Sequence, residues 1–133
     1  MNPIRLTIPS IIENIRLVES FIENTQRELG ISDDIYGNIM IAVTESVNNA
    51  IKHGNHNDIT KNVNLTLYKD DHQLRFVVQD QGEGFDFDNL PDPTAPENIL
   101  KPGGRGIFLM KNLSDEVNFN NNGSEVELLF YVD

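Results

Sequence analysis

Two pairs of alternating segments, each closed by a tight turn, set the strongest limit on what this chain can fold into. Val63, Leu65 and Leu67 alternate with Asn64, Thr66 and Tyr68, and after Asp70-Asp71 the pattern resumes at Leu74, Phe76 and Val78. Val117 and Phe119 begin a second pair, turned at Asn121-Asn122-Gly123 and continued by Val126, Leu128, Phe130 and Val132. A period of two puts one apolar face on each strand, and short polar turns join such strands as antiparallel hairpins. Ile4, Leu6 and Ile8 add a short strand at the start. A sheet of this kind needs a cover for its apolar face.

Helical periodicity supplies the cover. Ser10 is placed to cap a helix whose apolar positions are Ile11, Ile15, Val18, Ile22, Thr25 and Leu29, ended by Gly30. Ser32, with Asp33 and Asp34 behind it, starts a second helix. Its stripe is Ile35, Ile39, Ala42, Val43, Ser46, Val47 and Ala50, and it should stop near His53-Gly54. Gly106 to Leu113 reads as a short third helix, whereas Gln81 to Pro102 has no periodicity and carries Pro91, Pro93, Pro96 and Pro102. A loop of that length in a small domain is usually functional. The expected fold is an α+β two-layer sandwich, with helices on one face of a mixed, mainly antiparallel sheet and the other face wet. Neither a repeat nor a linker divides the chain, so residues 1–133 are expected to form one domain.

Charge and composition narrow the function. A net charge of −11 disfavours direct nucleic-acid binding, which rests on neutralising phosphates. A bound triphosphate would need local compensation, from a metal ion and oriented backbone N–H groups. With no cysteine there is neither a disulfide framework nor a thiolate metal site. No secretory signal or membrane-length apolar run is present, so a cytoplasmic protein without membrane contact is expected.

Three short stretches carry chemistry. In "ESVNNAIKHGN" (45–55), Glu45 and Asn49 lie about 40° apart on the second helix, on the border of its apolar stripe. A carboxylate there can accept a hydroxyl proton, and an amide oxygen beside it suits Mg²⁺. Taken alone, the same pair reads more readily as a solvated rim. In "DQGEGFD" (80–86), Asp80 ends a strand and can accept a hydrogen bond from an exocyclic amine, while Gly82 and Gly84 let backbone approach a ligand. "GGRGIFLM" (103–110) brings Gly104, Arg105 and Gly106 into a helix N-terminus, where phosphates bind readily. Singly, the last two are ordinary glycine-rich turns.

In their order and spacing, the three together resemble the N box and the two glycine boxes of the GHKL (Bergerat-fold) ATP-binding superfamily of gyrase, heat-shock chaperone, histidine kinase and MutL ATPase domains. The chain length and the "HGN" at 53–55 narrow the resemblance to bacterial anti-sigma-factor serine/threonine kinases of the partner-switching type. The resemblance implies ATP and Mg²⁺ as cofactors. Glu45 would be the general base, Asn49 the Mg²⁺ ligand and Asp80 the acceptor for the adenine amine. Gly82 and Gly84 would shape the adenine side, Phe87 to Lys101 would be the lid, and Gly104, Arg105 and Gly106 would close over the phosphates. Ser124 stands where the family usually has a Thr that reaches the adenine-binding Asp through water. His53 would belong to the pocket wall or a partner surface. The implied partners are an anti-sigma-factor antagonist, as protein substrate, and a sigma factor; a homodimer is left open. An ATP-binding regulatory module without transfer and a simple ATPase are the alternatives.

Overall fold

The computed structural model describes residues 3–83 and 104–132. In chain order they form β1 (Ile4–Pro9), α1 (Ile15–Leu29), α2 (Asp33–Asn49), β2 (Asn62–Lys69), β3 (Gln73–Gln79), α3 (Gly104–Leu113), β4 (Glu116–Asn120) and β5 (Glu125–Tyr131). The strands make one sheet in the order β1-β2-β3-β5-β4, and every described pairing is antiparallel. Both hairpins lie where the alternation puts them. The connection through α1 and α2 returns the chain to pair β2 beside β1.

The helices cover one face, as expected of the α+β sandwich. Val18 and Ile22 of α1, Ile39, Val43 and Val47 of α2, and Ile107 and Met110 of α3 share one core with the inward residues of all five strands. Phe76 is fully buried and meets Phe130 edge-on, with centroids 6.0 Å apart and planes at 85°. The opposite face is closed by polar side chains reaching across strands. Arg75 sits 4.4 Å over the Tyr68 ring and 3.2 Å from Glu127, with Thr66, Val77 and Leu129 buried beneath this layer.

The helix ends follow the sequence with one correction. Gly30 ends α1 in the left-handed conformation, at φ 65°, which costs glycine little. Ser10, however, is not the cap of α1. Its N–H donates to the Lys61 carbonyl at 3.1 Å, one step beyond the Pro9–Asn62 pair, so the β1–β2 ladder draws it into the interior. Its hydroxyl donates to the same carbonyl at 2.7 Å. The chain then makes a 3₁₀ turn, Ile12–Asn14, and α1 begins only at Ile15. Propensity favoured a cap; continuation of the sheet prevailed.

Phe76→Ala should therefore destabilise the protein by about 3–5 kcal/mol, the usual cost of emptying an aromatic core position. Urea unfolding followed by far-UV circular dichroism measures it. A loss below about 1 kcal/mol, the size typical of surface changes, would mean that the core is not centred on this ring.

Candidate functional site

Helix α2 positions the first half of the site. Its stripe buries Ile39, Ala42, Val43, Ser46 and Val47, which leaves Glu45 and Asn49 half-buried at the stripe's border. Helix α3 packs against α2 there, and Gly106 in its first turn permits the approach. A Cβ at Gly106 would lie 2.9 Å from Asn49 Nδ2 and 3.2 Å from Glu45 Oε2. Asn49 Nδ2 is buried with no hydrogen-bond partner among the described residues, and so is Asn48 Oδ1. An unmade hydrogen bond of this kind costs about 1–3 kcal/mol and points to a partner that completes the site. Glu45 and Asn49, one turn apart on α2, thus meet Gly106, which is far away in sequence.

The second half is built where α2 ends. The helix widens into a π-helical turn over Ala50–Gly54, with the Asn55 N–H donating to the Ala50 carbonyl at 2.8 Å. Turns of this type recur at functional sites. His56 and Asn57 then adopt left-handed backbone, at φ 52° and 58°, and turn the chain toward β2. The widened turn presses Gly54 onto the end of β3. A Cβ on Gly54 would sit 2.2 Å from Asp80 Oδ2, and one on Gly82 would sit 2.0 Å from the Gly54 carbonyl oxygen. Neither position has room for a side chain. The Gly82 N–H donates to Asp80 Oδ1 at 2.8 Å, which fixes the carboxylate. Burial raises the Asp80 pKa above the usual aspartate value, against the smaller opposing effects of the Gly82 hydrogen bond and the His56 and Lys61 charges.

The remaining residues singled out in the sequence divide. Ser124 adjoins Asp80, but by backbone: the Asp80 N–H donates to the Ser124 carbonyl at 2.9 Å, and the Ser124 hydroxyl donates to the Asn121 carbonyl at 2.9 Å. Gly104 and Arg105 open α3. Gly84, the Arg105 side chain and the segment 87–101 expected as the lid lie outside the described residues. His53 is exposed, and partial burial, then the nearby charges of Lys52 and His56, lowers its pKa. Two residues were missed. In the sequence Gly54 and Asn55 stand out only as part of a family marker, yet Gly54 touches Asp80 and Asn55 is buried at 1% exposure. The one available signal was a glycine and an amide directly after a helical stripe. A separate hollow of about 280 Å³, lined by Leu29, Ser32, Ile35, Lys69, Leu74 and others, lies at the far end of the sheet and shares no residue with the site.

A helical layer over an antiparallel sheet, with a carboxylate–amide pair at the border of α2 and a second carboxylate walled by two glycines, defines an α+β domain with two polar clusters along α2 and the turn that ends it. The model of the histidine kinase-like ATPase domain family matches residues 8–130, and the chain belongs to that family. A protein named serine-protein kinase RsbW from Staphylococcus epidermidis is 31% identical over 137 residues, covering 97% of this chain and 86% of the relative. Its namesake from Staphylococcus aureus (strain Newman) is 29% identical over 139 residues with the same coverage. The crystal structure of the RsbU and RsbW domains of Rv1364c from Mycobacterium tuberculosis superposes with a TM-score of 0.68 at 18% identity. That match covers 98% of this chain and 32% of the longer one, and bears on the fold. No helix among the described residues is long and apolar enough to cross a membrane.

The raised Asp80 pKa gives a signed expectation. Between the ordinary aspartate value and its folded value, the native state holds a proton that the unfolded chain has released. The favourable contribution is therefore fully present below the unfolded pKa and is lost as pH rises through the folded pKa. Asp80→Asn removes the titration. It should make the ligand-free protein more stable than wild type at neutral pH, with the difference shrinking as pH falls through the raised folded pKa toward the ordinary aspartate value and constant below it. Melting curves of both proteins from acid to neutral pH provide the comparison; a variant less stable than wild type at neutral pH would show that the buried carboxylate is favourable where it sits.

Proposed function

We propose that this protein is an ATP-dependent serine/threonine protein kinase that phosphorylates a small anti-sigma-factor antagonist and, in its other partner state, holds a sigma factor. The observation that supports the reading is that one helix and its π-helical turn each meet a polar cluster, Glu45 and Asn49 with Gly106, and Gly54 with Asp80 and Gly82. Gly54, Asp80 and Gly82 form a recess for the base, and Glu45, Asn49 and Gly106 form a place for phosphates. From Asn49 to Gly54 the helical rise amounts to about 7 Å, so base and phosphates lie along one groove.

The roles follow from the chemistry of each group. Asp80 accepts a hydrogen bond from the adenine 6-amino group, and the close backbone of Gly54 and Gly82 walls the ring. The N-terminal turn of α3, opening at Gly104, directs backbone N–H groups at the phosphates. Glu45 accepts the proton of the partner's hydroxyl while that oxygen bonds to the γ-phosphorus. The bond from the γ-phosphorus to the β–γ bridging oxygen breaks, and ADP leaves. Positioning and charge stabilisation account for most of such a transfer.

The residues present also fit Mg²⁺. No group of three or more His, Cys, Asp or Glu side chains among the described residues could hold a metal alone. A single hard oxygen, such as that of the Asn49 amide, suits an ion that takes its other ligands from phosphates and water, and the Nδ2 of the same amide, buried without a partner among the described residues, would be left to donate to a phosphate oxygen. Asn49 would hold it, and the ion would neutralise charge developing on the phosphates. The family membership supports ATP as the nucleotide, and the serine-protein kinase names of the relatives support transfer to a hydroxyl. Action in the cytoplasm fits this reading.

Two substitutions should differ in kind. Glu45→Ala should still bind Mg·ATP and lose transfer by about 10²–10⁴-fold, the usual cost of a general base. Asn49→Ala should weaken both binding and transfer. Incubation with γ-labelled ATP and a candidate antagonist, beside a nucleotide titration, reads both. Labelled antagonist supports the kinase. Bound nucleotide alone would favour a regulatory module, and free phosphate alone a simple ATPase. Parental transfer by Glu45→Ala would make that carboxylate a rim residue.

A further inference from the structure

Asp80 stands one residue past the last β3–β5 register pair, Gln79 with Glu125. Its own N–H is still held by the Ser124 carbonyl at 2.9 Å. The next peptide has no strand to pair with. Its N–H, on Gln81, donates instead to the side-chain oxygen of Asn55 at 2.7 Å. Asn55 is 1% exposed, and both N–H bonds of its amide are used: Nδ2 donates to Ser10 Oγ at 2.8 Å and to the Asn62 carbonyl at 3.0 Å. This orientation is the only one that works. Reversing the amide would set N–H against N–H at Gln81 and oxygen against oxygen at Asn62. The Gln81 side chain closes the circuit, accepting the Asn62 N–H at Oε1.

The buried amide therefore joins three places: the end of β1 through Ser10, the start of β2 through Asn62, and the end of β3 through Gln81. It also follows Gly54 directly, the residue whose backbone walls Asp80. One local conformation sets both the wall of the recess and the height at which the strand end carrying Asp80 is held. We infer that Asn55 is a positioning residue for base recognition, holding the Asp80–Gln81 strand end in register with Gly54 so that the carboxylate meets the exocyclic amine of the base. This rests on the reading of Asp80 as the adenine acceptor.

Positioning and simple structural support part company in one readout. Mg·ATP and the Mg complex of purine riboside triphosphate differ only in the 6-amino group, so their affinity ratio reports the Asp80 contact alone. Wild type should prefer ATP by about 10- to 100-fold, the range for a hydrogen bond to a charged group. Asn55→Leu, similar in size and without hydrogen bonds, should bring that ratio down to about threefold or less by removing the Gln81 tether. Asn55→Asp keeps the acceptor facing Gln81 and should retain most of the preference, although it melts at a lower temperature. Should Asn55→Leu fail to fold, Asn55→Ser, too short to reach the Gln81 N–H, gives the same test. A residue with only a structural role would lower the melting temperature and both affinities together. A wild-type preference kept intact by Asn55→Leu or Asn55→Ser would overturn the inference alone. A wild-type ratio near one would overturn the Asp80 reading, and the inference with it.

Discussion

Everything in this site depends on the contact of the π-helical turn at the end of α2 with the end of β3. There the backbone of Gly54 meets the Asp80 carboxylate, and Gly82 meets the Gly54 carbonyl, at separations that exclude a Cβ on either glycine. Two constraints make this possible. The widened turn carries Gly54 off the regular helical path, and two residues without side chains allow the approach. A regular α-helix carried on through residue 54 would follow a different path, and an alanine at either glycine would collide with the carboxylate or the carbonyl.

Helix α2 does two jobs with one surface. Its apolar stripe is the middle of the core, and the stripe's border carries Glu45 and Asn49. Burial fixes the helix against the sheet, and that rigidity orients the border residues. Asn49 Nδ2 is buried without a hydrogen-bond partner among the described residues, and burial raises the Asp80 pKa. Both are local costs offset by the core, the usual relation between a functional site and the stability of the surrounding fold.

Most of the fold was legible because the strands alternate cleanly and the helical stripes are long. Ser10 misled for a physical reason: local propensity for capping competes with extension of the sheet, and only the latter engages Lys61, a residue far away in sequence. The π-helical turn was invisible because nothing in the apolar period of α2 changes before it occurs. In the site, Glu45 and Asn49 could be paired from helical spacing, but their meeting with Gly106 could not, since that depends on how α3 packs. Asn55 was hidden for the same reason. Its side chain is explained by Ser10, Asn62 and Gln81, which lie on three different segments. The Ser124 hydroxyl, expected to reach Asp80 through water, donates instead to the Asn121 carbonyl, and Asp80 meets Ser124 through its backbone N–H on the Ser124 carbonyl.

The central claim is that one groove, from the Gly54–Asp80–Gly82 recess to Gly106, receives the nucleotide. Amide chemical shifts of the ¹⁵N-labelled protein, recorded as Mg·ATP is added, test it most directly. The account predicts the largest changes at Gly54, Gln81, Gly82 and Gly106, with Gly30, Lys69 and Val132 around the distant hollow unmoved. Changes centred on that hollow, with Gly54 and Gly82 still, would contradict it.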